Sequence, residues 1–292
     1  MNRTKATAIG FSAVALWSSL AVLTVLSAPV PPFLLSALTF SIGGAVGLIW
    51  LVASGEIRRL RGVPFSTYAF GSAGLFGYHF LYFTALRLAP PAEAGLICYL
   101  WPLLIVLFSG LLPGETLRAG HVAGAVLAFS GAALIVAGGM GAMSGAITGY
   151  AVALVAALTW SGYSLGSRRL DAVPTGAVAV YCLITAALSA LAHLALETTV
   201  WPDSGLGWAA VAALGLGPVG IAFFTWDIGV KRGDIQLLGT ASYAAPLLST
   251  LILVAAGLAN ASVTLALAAL LITGGAVLAA RAGRQVRAPQ GA

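Results

Sequence analysis

Apolar residues run along this chain in blocks of roughly twenty, separated by short clusters of Pro, Gly and charge. About 20 apolar residues are what an α-helix needs to cross the hydrocarbon of a bilayer. With Pro, Gly and charge as punctuation, the blocks fall at 6–27, 33–53, 67–86, 92–112, 118–139, 147–166, 174–196, 206–228, 234–257 and 261–281. The connections are short, as at Pro29–Pro32, Gly55–Pro64, Leu88–Pro91 and Pro113–Leu117. The pattern predicts an all-α integral membrane protein of ten transmembrane helices, with no soluble domain left over. The first block, with Arg3 and Lys5 before it, has the look of a signal peptide. It is read instead as the first span, because its removal would spoil the symmetry described below.

Composition supports this reading. Sixty per cent of the 292 residues are hydrophobic and 8% are charged, against about 25% charged in an ordinary soluble domain. Mean hydropathy is +1.01. A globular cytosolic enzyme and a disordered chain are both excluded. Cys98 and Cys182 lie in apolar runs without metal or disulfide spacing, so no metal site is expected. No phosphate-loop or dinucleotide glycine pattern occurs, and no cofactor is expected. The net charge is +6, but the bases form no patch, so nucleic acid is not an expected partner.

The bases are better read as topology signals. If the amino terminus is cytoplasmic and the spans alternate, the inside receives Arg3, Lys5, Arg58, Arg59, Arg61, Arg118, Arg168, Arg169, Lys231, Arg232, Arg281, Arg284 and Arg287. The outside receives only Arg87. This asymmetry follows the positive-inside rule and places both termini in the cytoplasm.

The two halves of the chain resemble each other. Trp17-Ser18 matches Trp160-Ser161 at an offset of 143 residues. Downstream the offset is 144, pairing Phe80 with Phe224, Arg87 with Lys231, Gly95 with Gly239, Tyr99 with Tyr243 and Pro102-Leu103-Leu104 with Pro246-Leu247-Leu248. Gly131-Ala132 likewise pairs with Gly275-Ala276. Matches of Ala, Leu and Gly are cheap in so biased a composition; those of Trp, Tyr and Pro are not. The expected domains are residues 1–143 and 144–292, each a five-helix repeat, the second ending in a short basic cytoplasmic tail. An odd number of helices per repeat makes the two run in opposite directions through the membrane. Inverted repeats are a secondary-transporter architecture, with substrate held near the midplane between them.

A chain of this length and topology, with Trp-Ser in helices 1 and 6 and Tyr-x-x-Pro in helices 4 and 9, resembles the EamA-type drug/metabolite transporter superfamily. Within it, the stretch Cys98-Tyr99-Leu100-Trp101-Pro102 is similar to the bacterial aromatic amino acid exporters. The resemblance covers 6–281. It implies a transporter rather than an enzyme, exporting Trp, Tyr, Phe and other neutral amino acids across the inner membrane. In one departure, Tyr99-Leu100-Trp101-Pro102 becomes Tyr243-Ala244-Ala245-Pro246 in the second half, so the two halves of a cavity would not be equivalent.

Candidate binding residues follow from the chemistry of such a substrate. Aromatic faces stack on an aromatic side chain and attract an ammonium. Trp17 and Trp160 lie too deep for the interfacial belt to which Trp50, Trp201 and Trp208 are assigned. With Tyr99, Trp101, Tyr163 and Tyr243 they are expected to line the cavity; helix packing is the competing reading for each. His79, with Tyr78 adjacent and Tyr82 near one turn on, is the histidine near mid-membrane. It suits a hydrogen bond to a substrate carboxylate or proton carriage, against a neutral histidine bonded to a carbonyl. His121 and His193 read as interfacial. Ser18 and Ser161 are candidate donors to a carboxylate, unless they bond their own backbone. Pro102 and Pro246 remove a hydrogen bond each and leave the carbonyls of Cys98 and Ser242 for other partners. With Gly95 and Gly239 they form candidate hinges, against static kinks.

Carboxylates at mid-depth are not evident. Asp227 with Lys231 four residues on reads as a surface pair, and Glu93 opens helix 4 beside the outer surface. Passive transport or loose coupling is therefore favoured over a tight proton antiporter. The expected partners are a small-molecule substrate and membrane lipid, with the chain working as a monomer. The same fold exporting another metabolite or a lipophilic drug remains the alternative; a membrane enzyme or a receptor is disfavoured.

Overall fold

The computed structural model describes residues 1–137, 146–255 and 262–284. The expected repeat boundary at 143/144, the ends of the blocks 118–139 and 234–257, the start of the block at 261 and Arg287 lie outside the described residues. Within them the chain forms fourteen α-helical segments, one 3-10 turn at Glu56–Gly62 and one π turn at Gly217–Ile221. Among the described residues, six helices are long and apolar enough to cross a membrane: Arg3–Leu26, Pro32–Ala53, Ala177–Leu196, Gly205–Arg232, Ile235–Ile252 and Val263–Ala282. Glu93–Ser109 and Ala119–Leu134 are shorter and apolar. Two further helices of spanning length, Phe65–Leu88 and Ile147–Arg168, carry Tyr78, His79, Tyr82, Trp160, Ser161 and Tyr163 of the candidate site.

In chain order the segments are α1 (Arg3–Trp17), α2 (Leu20–Leu26), α3 (Pro32–Ala53), α4 (Phe65–Leu88), α5 (Pro91–Cys98), α6 (Trp101–Ser109) and α7 (Ala119–Ala137). They continue as α8 (Ile147–Arg168), α9 (Ala177–Leu196), α10 (Gly205–Leu216), α11 (Ala222–Arg232), α12 (Ile235–Ala241), α13 (Ala244–Ala255) and α14 (Val263–Arg284). Their ends are chemically marked. The side chains of Asn2, Ser204 and Asp234 accept from the amides of Lys5, Gly207 and Leu237, capping α1, α10 and α12. Pro opens α3, α5 and α6, where its missing N–H costs nothing. The cap of α3 comes from afar: Glu197 accepts from the amides of Phe33 and Leu34 at 3.0–3.2 Å. Its carboxylate faces the positive end of that helix dipole.

Several blocks read as continuous helices are interrupted. The chain leaves the helix at Ser18–Ser19, at Tyr99–Leu100 and at Ser242–Tyr243. The last two breaks fall just before Pro102 and Pro246, where kinks were expected. They are fuller than kinks, because each proline sits in the first turn of a new segment. The Ser242 carbonyl is not left free, since it accepts from the Ala245 amide at 3.0 Å. The break at Ser18–Ser19 has no proline; the hydroxyls of Ser18 and Ser19 donate back to the carbonyls of Ala15 and Leu16.

The most extensive helix contacts are α7 with α14, α3 with α9, α4 with α8 and α1 with α11. Small residues permit the closest of them. A Cβ on Gly124 would lie 2.6 Å from the Gly275 carbonyl oxygen, and one on Gly10 would lie 2.8 Å from the Gly229 Cα. Helices in lipid gain little from apolar burial against each other, so backbone approach and van der Waals contact carry the association.

Candidate functional site

Indole and phenyl rings from both halves of the chain meet in one cluster. Trp17, the last residue of α1, has its ring centroid 5.7 Å from Trp160 on α8, 6.2 Å from Trp101 on α6 and 5.1 Å from Trp226 on α11. Trp101 and Trp226 are 5.7 Å apart, edge to face. From Trp160 the cluster extends to Tyr78 and Tyr163, each 5.3 Å away, and Tyr78 stacks on Tyr82 at 6.0 Å. Such pairs contribute about 0.5–1.5 kcal/mol each beyond their buried area. Trp101, Trp160 and Tyr163 are buried, whereas Trp17, Tyr78, His79, Tyr82 and Tyr99 are half-buried.

His79 belongs to this cluster. Its ring lies 5.3 Å from Tyr78, 5.0 Å from Phe40 and 6.2 Å from Phe223. Nδ1 is 2.8 Å from the Leu75 carbonyl, so it carries the proton and donates. In the neutral ring Nε2 is therefore an acceptor.

Other expected site residues are placed differently. Tyr243 is fully buried beside Phe129, Ala128 and Ala132, away from the tryptophans, and its hydroxyl accepts from the Leu103 amide at 3.1 Å. Ser161 Oγ lies 2.7 Å from the Ala157 carbonyl and 3.0 Å from that of Trp101. With Ser18 also bonded to backbone, neither serine presents a free donor here. The two hinge glycines differ: a Cβ on Gly95 would meet nothing within 4 Å, while one on Gly239 would lie 3.0 Å from Val106 and 3.1 Å from the Pro102 carbonyl.

Phe40, Phe223 and Trp226 were not anticipated from sequence. A signal for the last two was present: the 144-residue offset carries His79 to Phe223 and Tyr82 to Trp226. Trp226 Nε1 donates to Ser164 Oγ at 3.1 Å.

The ionisable residues also depart from their sequence assignments. Asp227 and Lys231 are buried rather than on the surface, at 1% and 8% exposure. Lys231 Nζ lies 2.9 Å from Asp227 and donates to the Val173 carbonyl at 3.0 Å, while Thr175 donates to Asp227 at 2.7 Å. The cause is the 169–176 connection, which folds over this end of α11. Glu93 is buried and accepts from the Tyr150 hydroxyl. His121 and His193 are buried too, His193 lying 3.0 Å from Glu197 and 2.8 Å from Thr199.

Two ionic clusters tie the ends of the bundle. At one end Glu115 pairs with Arg168 and, at 3.1 Å, with Arg3, which also reaches Asp234 at 3.4 Å. Arg168 further donates to the carbonyls of Val230 and Gly233 at 2.9 and 3.0 Å. At the other end Glu197 pairs with Arg87 at 2.8 Å while capping α3. Trp50, Trp201 and Trp208 are exposed, at 53%, 52% and 46%.

Comparison with known proteins agrees with this picture. The model of the EamA-like transporter family matches twice, over residues 4–137 and 147–281. The aromatic amino acid exporter YddG of Ancylobacter novellus is 56% identical over 288 residues, covering 98% of this chain and 100% of that protein. The protein of the same name from Escherichia coli (strain K12) is 27% identical over 295 residues, covering 95% of this chain and 97% of its own. A solved crystal structure with 56% sequence identity superposes at a TM-score of 0.92, covering 97% of this chain and 100% of that one. These relatives are transporters and exporters, not enzymes. With the family model spanning most of its length, the chain is a multi-pass membrane protein that belongs to the EamA-like transporter family.

Proposed function

We propose that the protein exports aromatic and other neutral amino acids, among them Trp, Tyr and Phe, across the bacterial inner membrane. It does so by alternating access through a central cavity between two inverted five-helix repeats, with both termini cytoplasmic. The repeat reading groups α1 with α2, α5 with α6, α10 with α11 and α12 with α13 into single spans, ten in all. Two observations support it. The family model matches each half separately. The major contacts are also arranged as a two-fold would require, α1 on α11 answering α8 on α4, while α3 with α9 and α7 with α14 pair equivalent helices.

The observation that carries the substrate is the aromatic cluster. Trp17, Tyr78, His79, Tyr82, Trp101, Trp160 and Tyr163 meet where the two halves face each other, around the Trp17–Trp160 contact, and Tyr99 is assigned to the same cavity. Aromatic faces accommodate the side chain and attract the ammonium. While neutral, His79 offers Nε2 as an acceptor to the ammonium. The breaks before Pro102 and Pro246 act as hinges, with Gly95 the freer partner and Gly239 the tighter. The names of the relatives point the same way.

The test is flux from proteoliposomes loaded with radiolabelled tryptophan or phenylalanine. Release faster than from empty liposomes is expected. Movement of organic cations or other metabolites alone would overturn the substrate while leaving the family membership intact.

A further inference from the structure

The π turn at Gly217–Ile221 interrupts the helix formed by α10 and α11 at Pro218. Proline has no amide to give Leu214, the carbonyl four residues back. One residue past the turn, the Ala222 amide would serve the Pro218 carbonyl in a regular α-helix. Here it reaches the Gly217 carbonyl, five residues back. The Pro218 carbonyl instead accepts from the indole N–H of Trp17 at 3.0 Å. π turns inside α-helices occur frequently at functional sites.

Trp17 is an unusual donor for this role. It is the last residue of α1, directly before the Ser18–Ser19 break, and it is half-buried. Its repeat counterpart Trp160 lies inside an uninterrupted helix. One tryptophan of the pair is thus at a pivot, and the other is fixed. The indole N–H occupies a carbonyl at the heart of the aromatic cluster, with Trp101, Trp160 and Trp226 against the same ring.

We propose that the Pro218 carbonyl joins His79 Nε2 as an acceptor for the ammonium group of the transported amino acid, and that Trp17 holds this position in the empty protein and yields it when substrate binds. The proposal rests on the export reading above. The exchange replaces a neutral donor by a charged one, which forms the stronger hydrogen bond. It also releases the Trp17 ring at the Ser18–Ser19 pivot, where it can close over the substrate side chain. A ligand with an ammonium and an aromatic ring satisfies both parts; one with a carboxylate alone does not.

The experiment uses the full chain in lipid nanodiscs with its seven tryptophans labelled at the indole nitrogen. The Trp17 signal is assigned by its loss in Trp17→Phe. Tryptophan, phenethylamine and 3-phenylpropionate are added in turn. The Trp17 indole proton should shift upfield with the first two and stay in place with the third. In liposomes, Pro218→Ala restores the helical amide and should raise the half-saturation concentration about tenfold, the loss of one hydrogen bond to a charged group. Trp17→Phe, which removes the competing donor, should lower it about threefold. A purely structural role for both residues would move both variants in the same direction, overturning the proposal. An unmoved Trp17 signal with both ammonium ligands, or an equal shift with 3-phenylpropionate, would also overturn it. If phenethylamine displaces Trp17 but no aromatic amino acid is transported, the carbonyl site stands and the export reading falls.

Discussion

The Tyr243 hydroxyl accepts a hydrogen bond from the Leu103 amide at 3.1 Å, joining residues 140 apart in sequence. In an uninterrupted helix that amide would serve the Tyr99 carbonyl; the break at Tyr99–Leu100 releases it, and a tyrosine from the other half takes it. Tyr243→Phe leaves this part-buried amide without its partner. A loss of about 1–3 kcal/mol is expected, read as a lowered thermal midpoint in detergent. An unchanged midpoint would mean that the amide finds another acceptor.

Replacing His79 or Trp101 by Ala should slow amino acid flux without reducing membrane expression, because both belong to the ring cluster that would hold the substrate. Trp226→Ala should do the same and also destabilise, since Trp226 is fully buried and supports Trp17 and Trp101. Transport rates in liposomes, normalised to incorporated protein, check all three.

Asp227→Ala strands the Lys231 ammonium in a buried site. Breaking a buried pair on one side costs about 3–5 kcal/mol, whereas replacing both partners by apolar groups costs far less. The double variant Asp227→Leu with Lys231→Met is therefore expected to be more stable than Asp227→Ala alone. Thermal unfolding of the two, side by side, decides it.

Gly124→Ala would place a methyl group 2.6 Å from the Gly275 carbonyl oxygen, a backbone atom that cannot turn aside. Separating α7 from α14 by enough to fit it should cost about 1–3 kcal/mol. Gly95→Ala, with open space at the same test, should cost little through packing. The thermal midpoints of the two variants should differ accordingly.

Much of the fold was legible because lipid leaves a chain few options. Apolar length located helices such as Pro32–Ala53 and Ala177–Leu196 to within a few residues, since an unpaired backbone amide is intolerable in hydrocarbon. Breaks were harder. Proline announced those near 102 and 246, but serine hydroxyls bonding their own backbone made the one after Trp17, and no single residue type signals that. Burial of charge was misread for a related reason. Asp227 and Lys231 looked superficial by their distance along the helix, yet a connection 50 to 60 residues earlier in the chain covers them. In the site, the aromatic residues were legible by type. Phe223 and Trp226 were not legible, because they correspond to His79 and Tyr82 by position in the repeat and not by identity.

The partnership of α1 with α11 and of α8 with α4 has a mechanical corollary. Each half lends its opening helix to the other, so under the proposed alternating access the moving bodies would not be the two halves of the sequence. A split between them would strand both lent helices without a seat. Fragments expressed separately should then fail to insert stably, while co-expressed fragments reclaim their exchanged partners and restore transport.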